Sequence, residues 1–382
     1  MTKSKLNTIE AIGLLTIIMA NKIILNLPEL IISSTGSSAW LNTLYIIAIA
    51  FIFIIFSLKL IGKFPGFDIL DISEYIGGSF FKFIIGVVQI LLLFLVANIT
   101  VRSLAYTLKT IYFTQSPIIF IGLFIILPVI ISNTLGIKSI SKICLYIAPI
   151  AYLGLTILLL APIKDFEYQR IFPIFGYGVN ATFVGGLSNL FALSGLGYIF
   201  LLPSILDNQT NLKKVSTISL ALSSIALFFS ILCMLFVFSF HVDTNENMTL
   251  YLLTMVVHHG NLIHGINVLF MIIWILSIIA YLSTTIFFIL FILKKVGRLE
   301  KTTPLNYSIS ALLLSSSIIF QNSPKIYFAI ENFMEPAILY FIFLLEPTLL
   351  VIANIKHFIT KKVSKIRKEP IWKKYFKIFV LY

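Results

Sequence analysis

Only a handful of residues in this chain could do chemistry, and each of them interrupts a long apolar run. Lys22 lies in the first run, within Ala20-Asn21-Lys22-Ile23. An ammonium near the centre of a bilayer costs at least about 2.5–3.5 kcal/mol, so Lys22 needs a partner, a wet cavity or a route to an interface. It either forms a structural ion pair, for example with Glu346, or snorkels, or replaces a coupling cation, or binds an anionic group of a ligand. Glu346 precedes Pro347 in the last apolar run. Proline frees a carbonyl one turn back, so this pair is either a local polar kink or a carboxyl on a proton path. Asn98, Arg102 and Tyr106 recur at one-turn spacing and would line one helix face. Arg102 is then either a gate or ligand-carboxylate residue, or a side chain snorkelling to the interface. Finally, Ser194-Gly195-Leu196-Gly197 puts two glycines into an apolar run, where they weaken a helix.

Other chemistry is not supported. Four histidines, His241, His258, His259 and His264, fall close together, but their spacing matches no standard metal site and suits a solvated loop. Cys144 and Cys233 sit in apolar runs and read as buried thiols. Gly185-Gly186 and Gly195-x-Gly197 follow no strand, so they are not a dinucleotide fingerprint. No nucleophile–base pair, phosphate loop or metal motif is present, and neither an enzyme, a cofactor nor a metal is expected.

These residues must be positioned by membrane helices. The 382 residues are 59% hydrophobic and 11% charged, with a mean hydropathy of +1.03. Soluble domains average about 45–50% apolar and 25% charged, so the chain is expected to be an all-α integral membrane protein. The apolar runs are continuous rather than alternating, which argues against a β-barrel. Ten spans are expected, at 9–32, 41–62, 80–108, 117–134, 143–162, 183–206, 215–240, 264–293, 305–321 and 333–355. The first run extends to Ile32 with no small-residue cleavage site and reads as a retained span.

Charge sets the orientation. Only Lys109, Lys164, Arg170 and Lys325 fall in loops on one side. Nearly all other basic residues fall on the opposite side, which is therefore expected to be cytoplasmic and to hold both termini. The tail from Lys356 carries nine basic residues against Glu369 alone and ends in interleaved aromatics and lysines. Such a segment suits anionic lipid headgroups. Without a folded module beside it, nucleic-acid binding is not expected.

An internal repeat is also visible. Ile24-Leu25-Asn26-Leu27-Pro28 and Ile199-Phe200-Leu201-Leu202-Pro203 occupy matching places in spans 1 and 6. Seven residues before each proline lie Asn21 and Leu196, the expected break points. Transporters are often built from inverted repeats whose broken helices bind substrate at the midplane. The expected units are 1–162 and 163–355, five spans each, followed by the tail 356–382.

In these segments the chain resembles the spore-germination permeases, the B subunits of nutrient germinant receptors, in the amino acid–polyamine–organocation superfamily. The resemblance is carried from Leu6 to Lys356 by several stretches: Leu27-Pro28; Phe64-Pro65 to Glu74-Tyr75; Arg102 with Thr114-Gln-Ser-Pro117; Arg170-Ile-Phe-Pro-Ile-Phe-Gly-Tyr-Gly178; Gly195 to Pro203; and Trp274. It departs at Asn21-Lys22-Ile23-Ile24 where a glycine pair is usual, at Thr100 where an acid is common, and at His264 and Asn267 where an Arg/Glu pair is frequent. The resemblance implies a leucine-transporter-like fold with broken spans 1 and 6, in the spore inner membrane, partnered by A and C subunits. It implies that a small nutrient, an amino acid foremost, binds near Ala20, Asn21, Lys22, Ile23, Asn98, Arg102, Ser194, Gly195, Leu196 and Gly197. Alternatives are a proton- or cation-coupled amino-acid transporter, with Lys22 or Glu346 on the coupling path, and a subunit serving assembly alone.

Overall fold

The computed structural model describes residues 5–25, 27–208, 211–238, 253, 266–321 and 324–368. The described residues are helical throughout and form no strand, apart from one isolated bridge that pairs Leu6 with Leu206. Twelve α-helices follow in order: α1 (Thr8–Leu25), α2 (Leu27–Thr35), α3 (Ala39–Ile61), α4 (Ile69–Ile111), α5 (Ile118–Leu135), α6 (Ile137–Leu160), α7 (Val179–Phe183), α8 (Leu212–Val237), α9 (Ile266–Val296), α10 (Thr303–Gln321), α11 (Pro324–Tyr340) and α12 (Glu346–Lys368). A 3₁₀ segment, Gly185–Phe200, follows α7, and a π turn, Phe341–Leu345, joins α11 to α12. Eight helical stretches among the described residues are long and apolar enough to cross a membrane. The chain is an integral membrane protein.

Local signals explain most boundaries. Asn7 caps α1: its Oδ1 accepts the Glu10 amide at 2.8 Å, and Glu10 Oε2 accepts the Asn7 amide at 3.0 Å. Asp68 and Asp71 form the same reciprocal box at the start of α4. That helix begins well before the expected span at 80, because its first turns are polar and amphipathic rather than apolar. Gly78, at φ 77°, supplies the left-handed kink where the polar part meets the apolar part.

Neither expected break point is open. α1 stays helical through Asn21 and Lys22 and ends at Leu25, and α2 begins at Leu27. Neither asparagine nor lysine forbids helix, whereas Pro28 clashes with the carbonyl four residues earlier and lacks an amide proton. Pro28 occupies the first turn of α2, where it is tolerated. In the second half the chain does not open at Leu196. It winds as a 3₁₀ helix from Gly185 to Phe200, with non-helical dihedrals only at Leu193. At about 2.0 Å per residue its 16 residues cover roughly 32 Å, enough for a ~30 Å hydrocarbon layer. An α-helix of that length would reach only about 24 Å.

The 3₁₀ segment and α9 are the most enclosed spans, and α4 the most peripheral. α1 packs on α6, α8, α9 and the 3₁₀ segment. Glycine permits the closest approaches: a Cβ on Gly13 would stand 2.8 Å from the Leu145 backbone, so α1 and α6 approach main chain to main chain. The outward faces of α3, α4, α5 and α6 carry exposed Ile52, Phe80, Phe120 and Leu153, as a lipid-facing surface requires.

Two polar clusters lock the ends of the bundle. At one end, Lys295 of α9 donates to both Asp68 and Asp71 at 2.5 Å, and Asp68 is fully buried. Burial pushes the Asp68 carboxyl above its ordinary range, although the Lys295 ammonium pulls it down. Close by, Lys356 of α12 donates to the carbonyls of Tyr75 and Ile76. At the other end, Asn42 Nδ2 donates to the carbonyls of Thr182 (2.7 Å) and Gly186 (3.0 Å), and Asn42 Oδ1 accepts from Asn189 at 2.8 Å. The Arg170 to Gly178 stretch closes over this end. Arg170 pairs with Glu167 and donates to the Val237 carbonyl, while Ser37 donates to the Pro173 carbonyl at 2.6 Å. Gly176 lies so close to the Thr35 carbonyl that a Cβ would stand 2.1 Å away.

Candidate functional site

A cavity of about 50 Å³ lies where the 3₁₀ segment, α1, α4, α9 and the α11–π–α12 junction meet. It has room for roughly three or four waters, so an amino acid would enter only as the helices part. One wall is Ser194, Gly195, Gly197 and Tyr198; the facing wall is Ile342 and Glu346, with Gln89 and Leu93 of α4 between them. The glycines bring main chain to the cavity surface. A Cβ on Gly195 would press on Met19 of α1 at 2.9 Å, and one on Gly197 on Ile342 at 2.8 Å.

Polar groups are few, and several lack partners. Glu346 is fully buried. Its Oε1 accepts a long hydrogen bond from Gln89 Nε2 at 3.4 Å, while its Oε2 and the Gln89 Oε1 have no partner. Among the described residues Glu346 forms no ion pair; the Lys22 side chain, its expected alternative partner, lies outside them. The π turn explains its placement: Pro347 prevents regular α bonding one turn back, and the chain takes up the slack by widening over Phe341–Leu345. Beside this pair, Thr285 Oγ1 donates to the Tyr281 carbonyl at 3.0 Å and so accepts the Tyr198 hydroxyl, also at 3.0 Å.

The structure gathers some of the expected site residues and separates others. Ser194, Gly195, Gly197 and Glu346 line the cavity. Leu196 points the other way, into a void of about 10 Å³ with Phe53 and Phe200. Ala20 and Asn21 are buried in α1, and both amide atoms of Asn21 lack a hydrogen-bond partner. The side chains of Lys22 and Ile23 lie outside the described residues, as do the four clustered histidines and the tail after Lys368. Asn98 is buried but faces α10, donating to Ser316 at 2.5 Å. Arg102 is half-buried one turn beyond it, and Tyr106 is exposed. Since α4 contributes to the cavity only from Gln89 to Val96, the expected polar stripe lies past it. Gln89, Tyr198 and Tyr281 were not among the expected residues. An amide inside the apolar run of α4 was the available signal for Gln89. No cluster of potential metal ligands occurs among the described residues.

Comparison with known proteins now adds to this geometry. The sequence model for a family described as "Spore germination protein" matches residues 5–325. The chain belongs to the spore germination protein family. Among curated relatives, Spore germination protein B2 of Bacillus subtilis (strain 168) is 24% identical over 231 residues, 60% of this chain. That match spans 62% of the relative's length. In fold, this family member is similar to a Na⁺-coupled sialic acid symporter solved substrate-bound and outward-open, with TM-score 0.66 and 11% identity over 89% of this chain and 80% of the symporter. It is also similar to MhsT solved in complex with L-phenylalanine, with TM-score 0.67 and 14% identity over 88% and 87% of the two chains. These likenesses concern architecture alone, and that architecture is the leucine-transporter-like one. Family and fold together are those of a spore germination membrane protein with leucine-transporter-like architecture.

Proposed function

We propose that the chain is the membrane subunit of a spore nutrient germinant receptor and that a small nutrient, an amino acid foremost, binds in the cavity beside Ser194, Gly195 and Gly197. Binding shifts the helices around it, and A and C subunits in the spore inner membrane read out the change. In this reading the chain makes ten spans as two inverted halves, 1–162 and 163–355. Both termini are cytoplasmic, and the tail 356–382 lies on anionic lipid. Ala20, Asn21, Lys22 and Ile23 form the α1 side of the site, Leu196 supports it from behind, and Asn98 and Arg102 lie along the path above it. No catalytic role is assigned.

The observation that carries this reading is the convergence at the cavity of a glycine-thinned 3₁₀ wall, a buried carboxyl and unpartnered polar atoms. Such atoms in an apolar interior cost free energy unless something completes them. Filling the cavity tests the reading. Spores carrying Gly197→Leu, whose side chain must either displace Ile342 or occupy the cavity, are expected to lose nutrient-triggered germination or to need at least roughly ten-fold more nutrient. The amount of the chain in the membrane should be unchanged by immunoblot. An unaltered dose–response would contradict the assignment. The coupled-transporter reading is favoured by the same carboxyl and by Lys22. It gains support if the isolated chain concentrates an amino acid in proteoliposomes.

A further inference from the structure

The Glu346–Gln89 end of the cavity holds two acceptors and no matching donor. Glu346 Oε2 and Gln89 Oε1 both lack hydrogen-bond partners, and the bond joining the two side chains is long, at 3.4 Å. The surroundings are Leu93, Phe341 and Ile342, and among the described residues no lysine, arginine or histidine lines the cavity. A carboxylate buried without a cation is strongly unfavourable, and the two orphaned oxygens can satisfy each other only if the carboxyl takes up a proton. An ammonium carries three N–H donors and no acceptor. It would complete both oxygens and supply the missing charge, whereas a ligand's carboxylate or carbonyl placed there would add a third acceptor. The π turn and Pro347 hold Glu346 on the wall of the same cavity that Gly195 and Gly197 line, so once the helices part a short molecule can reach both the carboxyl and the 3₁₀ main chain.

We propose that Glu346 and Gln89 are the ammonium-recognition site of the cavity, so that the protein selects small primary amines and amino acids over the same molecules lacking nitrogen. This rests on the reading that the cavity takes a small nutrient. Glu346 is thereby a specificity residue, and a cation brought by the ligand neutralises it.

The test uses the purified full-length chain and equilibrium binding of three related probes: L-leucine, 3-methylbutylamine, which lacks the carboxylate, and 4-methylpentanoate, which lacks the ammonium. Matching sets are built on L-alanine and L-valine. In at least one set the amino acid and the amine are expected to bind and the acid to fail. Glu346→Gln, which mimics a neutral carboxyl in shape, should weaken the amine-bearing probes by roughly ten- to hundred-fold. Gln89→Leu should weaken them less. Gly197→Leu should abolish binding of all probes. If the acid binds as well as the amino acid, or Glu346→Gln binds as wild type while Gly197→Leu does not bind, the ammonium site is overturned and the cavity stands. If Gly197→Leu also binds as wild type, the cavity itself is wrong. Failure of every amine-bearing probe to bind the wild type likewise overturns the proposal. Should Glu346→Gln misfold, the three-probe comparison on the wild type and the Gln89→Leu variant still decide.

Discussion

Lys295→Met is expected to destabilise the protein by about 3 kcal/mol, seen as a clear drop in apparent melting temperature in detergent. Lys295 ties the foot of α9 to the start of α4 through Asp68 and Asp71. Asp68 has no exposed surface, so removing the ammonium leaves a buried carboxylate held only by the amides of Leu70 and Asp71. Those capping bonds keep the loss toward the low end of the usual range. The sign of the pH effect follows from the same burial. The folded protein holds the Asp68 proton more tightly than the unfolded chain does, and more so without Lys295. The deficit of the variant is therefore present while Asp68 is ionised and shrinks as pH falls through its raised pKa toward the ordinary carboxyl value of 3.8. Adding Asp68→Asn, which keeps a capping side chain and removes the charge, should restore most of the loss. A deficit that persists in the double variant would show that Lys295 acts through packing instead.

Asn42→Leu is expected to cost a similar amount, about 3 kcal/mol, since it removes three buried hydrogen bonds at roughly 1 kcal/mol or more each. The Thr182 and Gly186 carbonyls lose their donor, and Asn189 Nδ2 is left with Ser34 alone. Leucine cannot compensate by packing, because Gly186 lies close against the Asn42 amide. Asn42→Asp keeps the acceptor but loses the donor, so it should fall between leucine and wild type. The readout is thermal unfolding together with protease sensitivity of the α7 region, whose attachment to α3 runs through this residue. Equal stability of all three forms would remove the network from the account.

These clusters also mark the limits of what the sequence discloses. Continuous apolar runs place α3, α5, α6 and α8 to within a few residues, because hydropathy and bilayer thickness act on the same length. Counting two turns back from each proline places breaks at Asn21 and Leu196, but both residues lie within helical segments, because neither residue type forbids helical winding. The 3₁₀ winding of Gly185–Phe200 leaves little periodic trace, since the segment is apolar nearly all round. Glu346 was legible as a carboxyl breaking an apolar background. Its partner Gln89, more than 250 residues away in the chain, was not, and neither was the pairing of Asn42 with Asn189. Each is a single polar residue in an apolar run whose meaning depends on which helix stands opposite. Asn98 and Arg102 illustrate the converse: the helical spacing was sound, but α10 rather than the cavity faces Asn98.

The central claim is that a small nutrient occupies the cavity between the 3₁₀ segment, α4 and α12. Both native cysteines are buried, so a cysteine introduced at Leu93 on the cavity wall can be followed by its rate of modification with a small thiol reagent in membranes. An amino acid that triggers germination is predicted to slow labelling of Leu93→Cys in a saturable way, and to leave labelling of Tyr106→Cys, outside the cavity, unchanged. No protection at position 93 by any germination-triggering nutrient, or equal protection at both positions, would contradict the account.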